Sequence, residues 1–237
     1  MRLHFLAALV ALLPLPALAD VTARYSAGTD VLLVEVDDGG DSRIGIEGKF
    51  SIIHRDGVDY VVRMLPGGGS HVTRLADALG LFAELVAGPA PAGGAKELAF
   101  RLVPQGEVRV GAWSGSAWSF GPDREADGRP GETIELAVSA DPALAPVGTV
   151  FRRLVDLLLP VIRIAIPGSA DFGPKALDLA AKGTVLRIGT TLELQSITTD
   201  AIDSRRFDLP GPVIAAAEFM GALGMADQAT IEIKPLP

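Results

Sequence analysis

The strongest constraint in this chain is a hydrophobic alternation of period two, repeated in short segments between turns. Leu32, Val34 and Val36 point one way while Glu35 and Asp37 point the other. Ile44 and Ile46 oppose Arg43 and Glu47, Phe50 and Ile52 oppose Lys49 and Ser51, and Tyr60, Val62 and Met64 oppose Asp59 and Arg63. The pattern returns at residues 98–102, 108–110, 134–138, 192–194 and 231–233. A period of two is the signature of a strand with one dry face. Buried parallel strands would read as continuous apolar runs, so the pattern predicts an antiparallel sheet with one face in water. Asp38-Gly39, Asp56-Gly57 and Gln105-Gly106 sit between these segments, where glycine accepts the positive φ of a tight hairpin. Strands this close together predict a meander.

Helical spacing interrupts the meander. Leu75, Leu79, Phe82 and Val86 share one face of a helix that a Gly-Pro-Ala-Pro stretch would stop. In residues 149–159 the polar positions Thr149, Arg152, Arg153 and Asp156 make a narrow stripe, so most of that helix is expected to be covered. Pro160 is expected to kink or end it, with Ile162, Ile164 and Ile166 free to alternate as a strand. A third helical candidate is residues 214–223. A sheet with one apolar face must cover it. The predicted architecture is α+β: a strongly curved antiparallel sheet, an unclosed half-barrel, with two or three helices on the concave face. A sandwich of two sheets is the alternative.

Residues 1–19 read as a secretory signal peptide, leaving 20–237 as a single domain. Arg2 and His4 precede an apolar stretch, and Ala17-Leu18-Ala19 is a small-x-small cleavage site ahead of Asp20. Pro14 and Pro16 break the apolar stretch short of the roughly 20 residues a membrane span needs. A second apolar stretch, 147–166, is rejected as a span because Arg152, Arg153, Asp156 and Arg163 interrupt it. The expected location is periplasmic or secreted.

Composition removes several function classes. The chain carries 21 Lys and Arg against 29 Asp and Glu, a net charge of −8, which opposes nucleic-acid binding. With 49% hydrophobic residues it is too apolar for disorder. It has no Cys, and therefore no disulfide, thiol nucleophile or Cys-ligated metal.

The segment from Ser42 to Val62 (SRIGIEGKFSIIHRDGVDYVV) resembles the early hairpins of periplasmic lipoprotein-carrier-like proteins. The run from Leu192 to Pro210 (LELQSITTDAIDSRRFDLP) resembles a late strand pair of the same superfamily, ending in Phe207-Asp208-Leu209-Pro210. The resemblance covers roughly a third of the chain after residue 19 and rests on a strand pattern plus a terminal Phe-x-x-Pro, a motif of low specificity. It implies an unclosed β-barrel plugged by helices and a hydrophobic cavity for acyl chains. It also implies an arginine near the barrel mouth, for which Arg43 is the match. It transfers no catalytic residue. The long loop 121–132 and the tail beyond Pro210 depart from the pattern.

The motifs that could carry chemistry are near-misses. Gly111-Ala112-Trp113-Ser114-Gly115 has its first glycine one residue too early for a nucleophile elbow. His54 falls on the face of Phe50 and Ile52 and reads as a partly buried strand histidine; His71 reads as a loop or strand-entry residue. Gly67-Gly68-Gly69 lacks the Lys-Ser/Thr of a P-loop and reads as a hairpin. Asp123, Glu125 and Asp127 alternate before Gly128 as in a calcium loop, but Ile134 stands where a bidentate Glu is needed, so the loop reads as solvated. Trp113, Trp118 and Phe120 cluster beside it.

The resulting expectation is a non-enzymatic protein with no cofactor and no metal, holding a lipid or another apolar ligand between sheet and helices. The lining candidates are Phe50, Tyr60, Met64, Phe100 and Trp118. The rival expectation is a protein–protein interaction module of the cell envelope with a packed core.

Overall fold

The alternating segments pair into one antiparallel sheet of eleven strands. The computed structural model describes residues 20–87, 97–124, 131–166 and 168–223. The strands are β1 (Val21–Ala27), β2 (Asp30–Val36), β3 (Ser42–Ile46), β4 (Phe50–Arg55), β5 (Val58–Met64), β6 (Ser70–Arg74), β7 (Phe100–Val110), β8 (Trp113–Pro122), β9 (Ile134–Ser139), β10 (Thr184–Ile188) and β11 (Leu192–Thr198). The helices are α1 (Leu75–Val86), α2 (Ala145–Ala165), α3 (Phe172–Ala181) and α4 (Ala216–Ala222). The sheet order is β6-β5-β4-β3-β2-β1-β11-β10-β9-β8-β7. The chain therefore starts mid-sheet, steps outward to β6, crosses by α1 to the far edge, and steps back until β11 lies beside β1. Edge strands β6 and β7 do not pair, so the curved sheet stays open, as the alternation predicted.

Register assigns the faces in the β1–β6 half. Val34 pairs with Ile44 and Ile44 with Ile52, so these three lie in one row on the concave side. Tyr25, Val34, Val36 and Ile44 form the main core with Val147 and Val150 of α2. Burying each such side chain contributes about 1.5–3 kcal/mol. Tyr25 packs edge-on against Phe151 with centroids 5.5 Å apart, and its hydroxyl donates to the Val185 carbonyl at 2.8 Å. Burial drives that hydroxyl's pKa well above its ordinary value. Gly148 lets α2 sit this close: a Cβ there would stand 2.6 Å from Thr184 Oγ1.

The same half is also apolar on its outer side. Ile53, Val62 and Val72 are buried under Phe207, with Tyr60, Ile202 and Leu209 packed around them. The segment after β11, residues 199–223, is a strap. It crosses the outer face, forms an isolated parallel bridge from Val213 to Val72 at the β6 edge, and ends in α4, which packs against α1 and β6. Edge strands left bare invite pairing with other chains, and the strap covers part of this one.

Three expectations need correction. Pro160 does not end the second helix: α2 continues to Ala165, and Ile162, Ile164 and Ala165 belong to it. The proline forgoes one backbone hydrogen bond, but Leu159 and Val161 on either side are buried and hold the helix in place. Gln105-Gly106 is not a hairpin. It is an irregularity within β7, between Pro104 and Gly106, where φ is 105° at Gly106. The hairpin turn that follows lies at Gly111 and Ala112, between β7 and β8. Finally, four helices occur among the described residues in place of two or three. The predicted helix at 75–86 matches α1, and the candidate at 214–223 contains α4. The alternating segment at 231–233 lies outside the described residues.

Candidate functional site

Three adjacent strands bring three polar side chains into one row on the concave side. Ser42 of β3 stands opposite His54 of β4, and His54 opposite Asp59 of β5. The tight turn at Asp56 and Gly57, both at positive φ, sets the His54–Asp59 register. His54 Nδ1 lies 3.0 Å from Asp59 Oδ1. Arg153 of α2 reaches the same row from the helix: its Nε is 3.2 Å from Asp59 Oδ1, and its Nη2 donates to Ser42 Oγ. Ser42 is buried, and the Asp59 side chain is only 12% exposed. Desolvation pulls the Arg153 pKa down while Asp59 pushes it back up. The helix stripe expected to be wet therefore turns one of its four members inward, and that member ties α2 to the sheet. Removing either partner of such a shielded pair leaves an uncompensated charge, which costs more than the pair contributes.

Beside this network lies a cleft of about 300 Å³ between the start of α2 and the β2–β3 turn. Its apolar walls come from Val36, Pro142, Ala145, Pro146 and Val150. Its polar groups come from Ser42, Arg153, Asp37 and Thr149. A larger hollow of about 1030 Å³ lies by the β7–β8 turn, lined by Arg109, Trp113, Asp141 and Lys182 among others. It is the broader and more open of the two, so it excludes water less well. An apolar ligand gains from leaving water, which makes the smaller cleft the better candidate.

The five residues expected to line a ligand site are not brought together. Phe50 lies in the concave row between Ile46 and Arg63 and is 40% exposed. Tyr60 and Met64 share the outer row with Val62, and Tyr60 packs into the cluster under the strap. Phe100 stacks on Phe120 at 5.9 Å and meets Phe172 of α3 edge-on at 5.3 Å. Trp118 packs with Leu136, Val138 and Leu179 of α3, its Nε1 donates to Ser116 Oγ, and Lys182 Nζ sits 4.6 Å over its ring. None of the five lines the cleft beside Arg153. Alternation alone could not reveal this, because β4 and β5 are apolar on both faces and the strap that covers the outer one is distant in sequence. The cleft-lining Ser42 and Arg153 were missed because they become neighbours only through a pairing 111 residues apart.

Arg43, the match for the arginine of the resembled family, lies on the outer row, 3.3 Å from buried Glu35. Of the acidic loop at 123–127, Asp123 pairs with Arg101 at 3.0 Å, and residues 125–130 lie outside the described residues. Gly67, Gly68 and Gly69 form the β5–β6 turn. Among the described residues, no helix is long and apolar enough to cross a membrane.

Ser42, His54 and Asp59 have the residue types of a nucleophile–base–orienter set. Nucleophilic catalysis needs the serine hydroxyl bonded to the base. Here Ser42 Oγ is bonded to Arg153. What the arrangement offers is apolar walls beside a small number of fixed hydrogen-bond donors, the composition of a small-molecule binding site. Comparison with family models, curated proteins and solved structures found no match for the chain.

Proposed function

We propose that this is a non-enzymatic periplasmic or secreted protein that holds a lipid or another apolar ligand between its sheet and helices. The observation that carries the reading is the cleft of about 300 Å³ at the seat of α2, with mainly apolar walls and a buried polar network at one side. The driving force is removal of apolar surface from water, about 25 cal/mol per Å². The likeness of residues 42–62 and 192–210 to lipoprotein-carrier-like proteins supports it, as does the open curved sheet. The leader-like residues 1–19 support the location. Asp20 then begins the mature chain, and its carboxylate accepts from the backbone amides of Asp38 and Ile202.

The rival reading is an envelope interaction module with no ligand. The filled core beneath α2 favours it, since Val34, Val147 and Leu186 are all at 0% exposure. Lipid extraction and mass spectrometry of the protein purified from a periplasmic fraction separate the two. A stoichiometric copurifying lipid supports the carrier reading. A lipid-free protein that also takes up no lipid from vesicles overturns it in favour of the module.

A further inference from the structure

Resting on the ligand reading above, we infer that the cleft at the start of α2 receives an uncharged, carbonyl-bearing, single-tailed amphiphile, an acyl ester or amide, with its carbonyl oxygen on Ser42 and Arg153.

The cleft's unspent hydrogen-bonding capacity is of one kind. Ser42 Oγ accepts from Arg153 and gives its own proton to no acceptor among the described residues. Arg153 Nε is buried, 3.2 Å from Asp59 Oδ1, yet makes no aligned hydrogen bond. The other polar groups are engaged: Thr149 Oγ1 donates to the Ala145 carbonyl, and Asp37 Oδ1 accepts from the Asp41 amide. Arg153 Nε is sealed against Asp59, so the donor left waiting at the cleft is the Ser42 hydroxyl, beside the lining guanidinium of Arg153, and a buried donor left unpaired is costly. A ligand that supplies an acceptor oxygen recovers that cost.

Charge decides which acceptor. Among the described residues Arg153 is the one cation lining the cleft, and Asp59 already compensates it at 3.2 Å. Asp37 adds a second carboxylate to the lining. A ligand carboxylate or phosphate would meet two anions for one guanidinium, whereas an ester or amide carbonyl takes the same donors without that repulsion. The apolar walls of Val36, Pro146 and Val150 then cover one tail, and the small volume excludes a bulky multi-chain lipid lying wholly inside.

The test is calorimetric titration of the lipid-stripped full chain with four probes that share a ten-carbon tail. These are monodecanoyl glycerol, its ether analogue decyl glycerol, decanoate and decyltrimethylammonium. The ester is expected to bind at least about tenfold tighter than each of the others, a difference of about 1.4 kcal/mol. Ser42→Ala should bring the ester down to the ether. Ala145→Trp should abolish binding of all four by filling the cleft; Ala145 is exposed, so the fold tolerates the change. Decanoate, ether or ammonium binding as tightly as the ester would overturn the inference while leaving the ligand reading intact. Full binding by Ala145→Trp would overturn this location alone. Absence of binding by every probe would overturn both.

Discussion

The sheet has two covers, and each is pinned by one arginine to a carboxylate on the strands beneath. On the concave side Arg153 of α2 meets Asp59; on the outer side Arg206 of the strap meets Glu35. The outer pin is saturated. Arg206 donates to Glu35 through Nε and Nη2, both at 2.9 Å, Arg43 adds a third contact, and Arg206 also reaches Glu47. These bonds raise the Arg206 pKa against a smaller opposing desolvation. Next to it Phe207 is 1% exposed, and Asp208 pairs with Arg55. The concave pin is the reverse. Desolvation dominates at Arg153, its contact with Asp59 is poorly aligned, and an apolar cleft opens beside it. The strap has the form of a permanent closure, with Asp203, Arg205, Arg206 and Asp208 all paired. The seat of α2 leaves the Ser42 hydroxyl over, and an unspent donor beside apolar walls is what a ligand site needs.

This contrast is breakable. The largest effect is expected at Phe207. Phe207→Ala should remove about 3–5 kcal/mol by urea denaturation, the usual cost of emptying a buried aromatic site. The loss should come with faster exchange of the Ile214 amide, which is bonded to the Val72 carbonyl at the β6 edge. A loss under 1 kcal/mol would mean the strap is no closure.

A smaller effect, with a different readout, is expected on the other cover. Gly148→Ala places a methyl 2.6 Å from Thr184 Oγ1, so α2 must shift away from β10. Overpacking of this kind costs about 1–3 kcal/mol. Ligand affinity should fall as well, because Thr149 and Val150 line the cleft. Unchanged binding of the ester probe in a correctly folded Gly148→Ala variant would separate the cleft from the seat of α2.

The smallest effect concerns acid. Asp203 accepts from Arg205 through side chain and backbone, which holds its pKa at about 2, below the usual 3.8. A depressed carboxylate stabilises the fold above its unfolded pKa, and the contribution disappears as pH falls through the folded one. Wild type should therefore exceed Asp203→Asn in stability at pH ~5, with the gap closing between pH ~4 and pH ~2. Carboxyl NMR should give the titration midpoint; a value near 4 would sink the prediction.

Much of the architecture was legible because it is written in local periodicity. The rows Leu32-Val34-Val36 and Ile44-Ile46 gave strands, and Leu75-Leu79-Phe82-Val86 gave a helix whose bounds match α1. Where a residue's role is set by distant partners, the pattern misled. Pro160 signals a break, yet buried neighbours carry the helix through it. Tyr60, Val62 and Met64 alternate correctly, but their apolar side faces the strap and not the helices. The periodicity does not reveal strands β1, β6, β8 and β10: Val21, Ala23 and Tyr25 alternate with short polar residues only weakly, and the others carry irregular patterns. Phe207 lies in a segment with no period at all.

Taken alone, the order of residues determined most of the element types, the antiparallel pairing of neighbours and the exclusion of thiol chemistry, since all of these follow from short-range pattern and composition. The tertiary structure alone decided which apolar face meets which cover, that β11 closes on β1, and that Arg153 meets Ser42. Those contacts join residues more than a hundred positions apart. Their free energy comes from burial shared between segments, which no single segment's periodicity records.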